Sequence, residues 1–184
     1  MSINPNDKLR LFFALWPDDA VKTALMQLQA PMQGRWIPYG NLHLTLAFLG
    51  MQPASVVTTA KEILAQLQPR DETLVIDKVG YFPRNRVAWA GTHQVPDGLA
   101  SLEQELHSAL SARGIAYDRH GTFKPHITLA RDASLPADIV FDPIVWRAHH
   151  VVLVQSVTGS DGSVYEVVAS RSLHDPAQGG NASS

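Results

Sequence analysis

One unit of sequence occurs twice in this chain of 184 residues. The string His43–Leu46 (HLTL) is matched by His126–Leu129 (HITL), and each follows a strand-like run, a Pro-Asp pair and a helical stretch. The proline lies 26 residues before the histidine in the first half (17 to 43) and 30 residues before it in the second (96 to 126). Since two copies are too few for a solenoid, the duplication predicts a two-lobed α+β fold with approximate twofold symmetry.

The spacing of apolar residues supports this organisation, because alternation indicates strands and a helical period indicates helices. Strands are predicted at residues 9–15, 42–49, 73–81, 86–91, 126–130, 145–157 and 164–171. Helices are predicted from Pro17 to before Pro31, from after Ser55 to before Pro69, and over residues 96–113. We expect residues 1–175 to form a single bilobal domain in which antiparallel sheets line a central cleft and the helices lie outside. Residues 176–184 are expected to form a disordered tail.

The repeated strings place polar side chains on one face of two equivalent strands. Side chains alternate along a strand, so His43 and Thr45 point the same way, as do His126 and Thr128. The apolar residues between them face the helices. In a fold with twofold symmetry, the two polar faces can meet across a shared cleft. The sequence thus predicts two imidazoles and two hydroxyls around one ligand.

Two facing imidazoles are suited to the hydrolysis of a phosphodiester. One neutral histidine can take a proton from the attacking water while a protonated histidine gives a proton to the leaving oxygen, and both forms are accessible because the usual pKa of histidine is about 6.5. Threonine hydroxyls can donate hydrogen bonds to the phosphate oxygens on which charge accumulates. This chemistry requires no metal ion. The residue types do not decide which histidine is the acid and which is the base.

Composition excludes several other classes of protein. The chain has no cysteine, which excludes disulfide scaffolds, thiolate nucleophiles and cysteine-ligated metal sites. Its net charge of −2 is far from the basic balance of a protein that binds nucleic acid by charge alone. The glycine-rich phosphate loops GxGxxG and GxxxxGKS/T are absent, so a ligase that uses nucleoside triphosphates is not supported. No apolar run approaches the ~20 residues of a membrane helix, so we expect a cytoplasmic protein with no membrane partner. We also expect a monomer.

The residues around the two strings extend the pattern to most of the chain. The segments NLHLTLAFLG (41–50) and FKPHITLARD (123–132) resemble the two signature HxTx motifs of the two-histidine phosphoesterase superfamily. Within it, they most resemble the bacterial RNA 2′,3′-cyclic phosphodiesterase family, historically called 2′-5′ RNA ligases. The opening RLFFALWP, the strand RVAWAG and the closing VxLVQS with Tyr165 are also similar to that family. The resemblance spans about residues 8–172.

This resemblance implies an enzyme without metal or other cofactor, with a bilobal α+β fold and a cleft between the lobes. It implies hydrolysis of RNA 2′,3′-cyclic phosphate ends to 2′-phosphomonoesters, in which the 3′ oxygen leaves, with 2′-5′ RNA ligation as the reverse of ring opening. His43 is assigned as the proton donor and His126 as the proton acceptor, with Thr45 and Thr128 beside them. Arg131 is implied to contact phosphate, although alternation places it opposite His126 unless the strand ends or bulges there.

Three other functions are open on the sequence alone. The same chemistry serves phosphodiesterases that act on small cyclic nucleotides or ADP-ribose cyclic phosphate. A non-catalytic nucleotide-binding module would hold phosphate between the histidines, although it has no need of both threonines. A metallohydrolase would use His43 and His126 as ligands, but Asp132 is the nearest carboxylate to either motif, so a complete set of ligands is hard to draw.

Several further residues have both a functional and a structural interpretation. Four aromatic residues near the motifs can stack on a base or pack against the protein, and packing is the more common role: Trp36, Tyr39, Phe48 and Phe123. Lys124 is a candidate contact to the RNA backbone or a solvated surface residue. His149 and His150 are adjacent, so they point to opposite faces of a strand and are poorly placed to share a metal ion.

Overall fold

The computed structural model describes residue 4 and residues 7–68, 70–119, 121–160 and 162–174. Within them the strands are β1 (Lys8–Leu15), β2 (Arg35–Trp36), β3 (Leu44–Pro53), β4 (Thr73–Ile76), β5 (Lys78–Phe82), β6 (Val87–Gly91), β7 (His126–Arg131), β8 (Ile144–Arg147), β9 (His150–Gly159) and β10 (Gly162–Ser172). The helices are α1 (Asp19–Gln29), α2 (Val56–Gln66) and α3 (Asp97–Ala112), and a short 3₁₀ turn covers Tyr39–Asn41.

Most of the strands form one antiparallel sheet in the order β10-β9-β1-β3-β7-β6-β5, with β2 paired to β7. The two motif strands, β3 and β7, are neighbours at its centre and pair through Leu44 and Ile127. One lobe contains β10, β9, β1 and β3, and the other contains β7, β6, β5 and β2. The predicted bilobal α+β class with antiparallel strands is confirmed, and the sheets of the two lobes are continuous at the motif strands.

The helices cover one face of this sheet, and two of them pack crosswise, which means that each lies under the motif strand of the other half. Helix α1 precedes β3 in the chain but packs on β7, whereas α3 precedes β7 but packs on β3. Helix α2 packs against β9 and β10. Each half therefore supplies the helix that lies under the motif strand of the other half. The two histidines lie on the opposite face of the sheet, which the helices leave free.

The helices form where capping and apolar spacing favour them. Asp18 caps α1, since its carboxylate accepts a hydrogen bond from the backbone N–H of Val21 at 2.9 Å. The apolar face of α3 is completely buried and consists of Leu99, Leu102, Leu106 and Leu110. Burial of each leucine contributes about 1.5–3 kcal/mol, so this face anchors α3 to the sheet. The helix ends before Gly114, whose φ of +67° suits a glycine at a helix C-terminus.

The first motif strand is longer than predicted. The sequence predicts its end at Gly50, but β3 continues to Pro53, and Gly50 pairs with Leu11 of β1. Gly50 has a φ of +66°, which glycine adopts without strain. The residue that indicates a strand end therefore lies at an irregularity within a continuing strand.

Two other predicted strands are each divided into two. The segment 73–81 is separated at Asp77 into β4 and β5, and the segment 145–157 is separated at 148–149 into β8 and β9. The first piece of each, β4 or β8, leaves the main sheet, and the two pair with each other as a two-stranded sheet. Alternation of side chains is the same in both sheets, so it does not reveal where the chain passes from one to the other.

The predicted tail at 176–184 lies outside the described residues and stays a prediction, as does the domain boundary at 175. No helix in the part of the chain that the structure describes is long and apolar enough to span a membrane. The cytoplasmic location and the monomeric state also stay predictions.

Candidate active site

The free face of the sheet forms a cleft of about 630 Å³ across its centre. All five site residues predicted from the sequence line this cleft: His43, Thr45, His126, Thr128 and Arg131. Other strands and the segment before β3 complete its walls through Arg10, Phe12, Arg35, Trp36, Phe48, Ser156, Thr158, Ser163 and Tyr165, among others. The structure thus brings the two repeated strings onto one cleft, while the chemical role of each residue stays a prediction.

His43 is held through its Nδ1 atom and by aromatic packing. Its Nδ1–H donates to the carbonyl of Asn41 at 2.6 Å, and Oγ1 of Thr45 lies 3.0 Å from Nε2. The aromatic rings around the imidazole, with centroid distances of 4.9, 6.2 and 5.2 Å, are those of Phe12, Trp16 and Tyr165. Because Nδ1 carries the proton in the neutral ring, Nε2 is the atom that can accept a proton in the cleft.

His126 is held in the same way in the other half. Its Nδ1–H donates to the carbonyl of Lys124 at 2.7 Å, so in both halves the acceptor lies two residues before the histidine. The imidazole contacts the rings of Phe82 and Trp89, with centroid distances of 5.1 and 6.1 Å. A Cβ atom at Gly80 would lie 2.1 Å from the indole of Trp89, so this arrangement depends on a glycine.

Burial lowers the pKa of both histidines. Desolvation lowers the pKa of His43 from 6.5 to about 4, although its hydrogen bond to a backbone carbonyl raises it, and the charges of His126, Arg131 and Lys22 lower it further. Desolvation also lowers the pKa of His126, again against a carbonyl hydrogen bond and with a further lowering by Arg131. Both imidazoles are therefore neutral at pH 7 in the free protein, and both Nε2 atoms can accept a proton.

Both motif strands contain a β-bulge directly after the threonine. Relative to the neighbouring strand, the extra residue is Leu46 in β3 and Leu129 in β7. A bulge interrupts the alternation of side chains, so Arg131 lies on the same face as His126 and lines the cleft. Alternation alone would place Arg131 opposite His126, and this bulge is the irregularity that brings it to the cleft. Phe48 occupies the equivalent position in β3 and also lines the cleft.

The aromatic candidates separate into two groups. Trp36 and Phe48 line the cleft and are 46% and 36% exposed. The hydroxyl of Tyr39 instead donates to the carboxylate of Asp19 at 2.5 Å. Phe123 packs against the hydrophobic core. Stacking on a base is therefore available to Trp36 and Phe48, whereas Tyr39 and Phe123 have structural contacts.

The cleft is positively charged although the chain carries a net charge of −2. Its described lining residues include Arg10, Arg35 and Arg131 and no aspartate or glutamate. Arg35 lies 3.5 Å from the carboxylate of Asp132 at the edge, and both side chains are largely exposed. The cationic side chains that the structure describes in this cleft attract an anionic ligand.

Arg10 and Phe12 also line the cleft, and neither is among the site residues predicted from the sequence. The signal was alternation: Arg10 is charged and shares a face with Phe12. The guanidinium of Arg10 lies over the ring of Phe48, 5.5 Å from its centroid. Tyr165 was noted only for its resemblance to the family, and the structure places it against His43. Its position depends on the pairing of β10 with β9, which local sequence does not show.

The remaining histidine and lysine candidates lie apart from the cleft or contribute through the backbone. Lys124 is exposed and acts on His126 through its carbonyl. The ring of His149 contacts that of His174, 5.9 Å away, while His150 begins β9. Within the described ranges, no group of three or more histidine, cysteine, aspartate or glutamate side chains is arranged to hold a metal ion.

Comparison with known proteins agrees with this geometry. Residues 17–159 match the family model of the 2′-5′ RNA ligase superfamily. The chain is 37% identical over 129 residues to the RNA 2′,3′-cyclic phosphodiesterase of Escherichia coli (68% of this chain, 73% of that protein) and 33% identical over 185 residues to that of Thermus thermophilus (90% of each). The apo crystal structure of Escherichia coli LigT matches with a TM-score of 0.79 at 30% identity, over 92% of this chain and 99% of that chain. This chain belongs to the 2′-5′ RNA ligase superfamily.

Proposed function

We propose that this chain hydrolyses RNA 2′,3′-cyclic phosphate ends to 2′-phosphomonoesters, with His43 and His126 as a metal-independent acid–base pair. The observation that carries the proposal is the pair of imidazoles, each anchored through Nδ1, on a cleft whose described lining includes three arginines and no carboxylate. A phosphodiester is an anionic substrate that such a pair cleaves by proton transfer. The relatives named RNA 2′,3′-cyclic phosphodiesterase support the same substrate.

In the proposed reaction, Nε2 of His126 takes a proton from a water molecule as the water oxygen attacks phosphorus. The bond between phosphorus and the 3′ oxygen breaks, and Nε2–H of His43 gives its proton to that oxygen. The products are a 2′-phosphomonoester and a free 3′ hydroxyl. His126 then releases its proton to solvent and His43 takes one up. The two roles are assigned by the family resemblance, because the geometry is nearly symmetrical.

Two hydroxyls and one guanidinium hold the phosphate in this scheme. Thr45 and Thr128 donate to the non-bridging oxygens, and Arg131 donates charge-assisted hydrogen bonds to the same group. The hydroxyl of Thr45 lies 3.0 Å from Nε2 of His43, so it changes its acceptor from the imidazole to the phosphate when the substrate binds. Nε2 is thereby released for proton transfer.

The proton donor acquires its proton when the substrate binds. The pKa of His43 is about 4 in the free protein, so the neutral form dominates at pH 7. A bound phosphate anion stabilises the protonated imidazole that faces it, and it raises the pKa of that histidine. One proton is then taken up from solvent, and the second imidazole stays neutral as the base.

In the same geometry, ligation is ring opening by a second nucleophile and not, as expected from the resemblance, the reverse of ring opening. When the 5′ hydroxyl of a second RNA takes the place of water, attack on phosphorus with loss of the 3′ oxygen leaves a 2′-5′ linkage. No nucleoside triphosphate is consumed, because one phosphoester bond forms as another breaks. Hydrolysis is favoured wherever water outcompetes the hydroxyl.

The extent of the cleft supports an RNA end over a small closed nucleotide. Its walls continue from the histidines along β9 and β10 to the hydroxyl side chains of Thr158 and Ser163. Hydroxyl groups can hydrogen-bond to the phosphates and sugars of nucleotides that precede the cyclic end.

The test is incubation of the protein with an RNA oligonucleotide that ends in a 2′,3′-cyclic phosphate, with and without EDTA, followed by identification of the phosphomonoester. We expect the 2′-phosphomonoester at equal rates in both, and no product with His126→Ala as a control. Loss of activity in EDTA that one divalent metal restores would contradict the metal-independent mechanism. Turnover of small cyclic nucleotides without turnover of RNA would support the alternative substrate class.

A further inference from the structure

The bulges after the two threonines create buried backbone groups that need hydrogen-bond partners. Leu46 and Leu129 are the extra residues, and both are buried. A bulge removes backbone groups from the regular ladder, and a buried carbonyl without a partner is costly. In both strands the bulge carbonyl accepts a hydrogen bond from a side chain of the helix that packs crosswise beneath.

The carbonyl of Leu129 accepts a hydrogen bond from Gln29, the last residue of α1. The distance from Nε2 of Gln29 to this oxygen is 2.9 Å, and the same amide also donates to the carbonyl of Ile37 at 2.9 Å. The backbone N–H of Ile37 donates to Leu129 as well, at 2.9 Å. Gln29 is 0% exposed. A fully buried amide thus ties α1, the segment before β3 and the bulge of β7 together.

The carbonyl of Leu46 accepts a hydrogen bond from His107 of α3. Nε2 of His107 lies 3.2 Å from this oxygen, and Nδ1 lies 3.0 Å from the carboxylate of Glu103. The ring also packs on Tyr117, with centroids 4.4 Å apart. The carboxylate of Glu103 and the ring of Tyr117 orient the imidazole of His107 toward the bulge. His107 is therefore the counterpart of Gln29 in the other half.

We infer that Gln29 and His107 are positioning residues for the reaction. Each holds the bulge in the motif strand of the opposite half. Because of the bulge, both the threonine before it and the residue two positions after it, Phe48 or Arg131, face the cleft. Neither side chain lines the cleft, so both act through the backbone. The kinetic part of this inference rests on the proposed function.

Gln52 offers a matched control. It is a buried glutamine whose Nε2 donates to two carbonyls, those of Leu49 at 2.7 Å and Ala116 at 3.1 Å. Leu49 is the extra residue of a second bulge in β3, which lies beyond Phe48 and away from Thr45. Gln52→Met and Gln29→Met therefore remove the same number of hydrogen bonds from the same kind of side chain, and only Gln29→Met disturbs a bulge beside a threonine.

The first experiment compares kcat, KM and Tm of these two variants and of His107→Met. We expect kcat to fall about 10- to 100-fold in Gln29→Met and in His107→Met, since small displacements of catalytic groups have effects of this size. Gln52→Met should lower Tm comparably with little change in kcat. His107→Gln, which restores an amide donor of the kind used by α1, should recover most of the lost kcat. Equal losses of kcat in Gln29→Met and Gln52→Met would overturn the inference.

The second experiment separates the two halves by combining each variant with a threonine substitution. When Gln29→Met is added to the Thr128→Ala variant, it should lower kcat less than when it is added to the Thr45→Ala variant. The reason is that the effects of substitutions at residues that act as a unit are not additive. His107→Met should show the opposite preference. Additive effects in both backgrounds would assign these residues a purely structural role. The His107 variants keep this test available if Gln29→Met does not fold, since the His107 side chain is 22% exposed.

Binding of adenosine 2′-monophosphate, measured by calorimetry, gives a result that does not depend on turnover. Gln29→Met should weaken binding at least several-fold more than Gln52→Met, because Arg131 and Thr128 lose their placement. If the wild-type protein binds this nucleotide but does not cleave cyclic phosphate, the proposed function is wrong and the binding comparison still decides the inference. Equal binding by both glutamine variants would contradict it.

Discussion

The two halves of the cleft share a backbone but differ in chemistry. Each has an HxTx strand, a histidine bonded through Nδ1 to the carbonyl two residues earlier, and a bulge after the threonine. Three residues beyond the threonine, the first half has Phe48 and the second has Arg131. The duplicated fold thus supplies two equivalently held imidazoles, which the proposed reaction uses as acid and base. The halves diverge at the position past each bulge.

This divergence corresponds to the asymmetry of a nucleotide. A cyclic phosphate carries negative charge, which suits the guanidinium of Arg131. A base presents flat apolar faces, which suit the ring of Phe48. Twofold symmetry can supply one imidazole to accept a proton and another to donate one. It cannot orient a substrate whose two ends differ. In the proposed reaction, the difference between Phe48 and Arg131 orients the substrate without a change in the backbone.

The largest effect is expected from removal of either histidine, which tests the equivalence of the two halves. His43→Ala and His126→Ala should each lower kcat by at least about 10²–10⁴-fold, because each proton transfer contributes on that scale. The double variant should be little worse than either single variant, since acid and base act together. Steady-state kinetics and circular dichroism separate lost catalysis from lost folding. Near-full turnover by one variant would show that only one half carries the chemistry.

A smaller effect on the kinetic constants is expected from substitution of Arg131 or Phe48, the residues beyond the bulges at which the halves differ. Arg131→Ala should lower kcat/KM for cyclic phosphate by about 10²-fold, chiefly through kcat, as for loss of one strong electrostatic donor. Arg131→Lys should recover part of this, because it keeps the charge but not the planar fork. Phe48→Ala should mainly raise KM, about 10-fold, through lost stacking. Similar changes in kcat for Arg131→Ala and Phe48→Ala would contradict the division between phosphate and base.

The pH dependence tests the shared property of the halves, two imidazoles of lowered pKa. The pKa of His43 is about 4 and that of His126 is lowered from 6.5, so the bell-shaped profile of kcat/KM should have its maximum below pH 6.5. Bound phosphate favours the protonated donor, so the alkaline limb of kcat should lie at higher pH than that of kcat/KM. The two limbs describe the coupled pair.

Thr45→Ala and Thr128→Ala are the controls for this profile, because hydroxyls do not titrate in this range. Both should lower the rate while leaving both limbs in place. A profile that rises with pH to a plateau would indicate a single base, and it would exclude the two-histidine mechanism.

The smallest effect is expected on the free energy of unfolding. Here the halves differ because burial lowers the pKa of His43 more than that of His126. The pKa of His43 in the folded protein, about 4, is below the 6.5 of the unfolded chain, so the unfolded state binds more protons between these values. The contribution of neutral His43 is complete above pH 6.5 and is lost as pH falls toward 4, by at most about 3 kcal/mol. His43→Asn should therefore flatten the decrease in unfolding free energy over this range, as measured by urea unfolding. The change should be smaller for His126→Asn, and parallel curves for wild type and His43→Asn would contradict the lowered pKa.

The fold class and four of the five site residues could be predicted because their signals are local and occur twice. Alternation along a strand places His43 and Thr45 on one face whatever the strand pairs with. The same holds for His126 and Thr128. Repetition indicates that the two strands are equivalent, and the structure places both on one cleft.

Other features could not be predicted because they depend on pairing between distant segments. Gly50 indicates a strand end by its residue type, yet β3 continues because β1 pairs with it on that side. The segments 73–81 and 145–157 each contain one alternating pattern, yet each contributes to two sheets. The position of Arg10 in the cleft could not be predicted either, because local alternation does not show which face of the sheet the helices leave free.

The sequence by itself determined the duplication, the paired HxTx strands and the absence of thiol or phosphate-loop chemistry, since these follow from residue types and their local spacing. The tertiary structure alone decided that Arg131 faces the cleft, because a bulge exists only relative to the strand beside it. It also decided that α1 and α3 pack crosswise, which brings Gln29 and His107 to the bulges of the opposite halves. The lowered pKa of His43 arises in the same way, since the rings that desolvate it come from segments far apart in the chain.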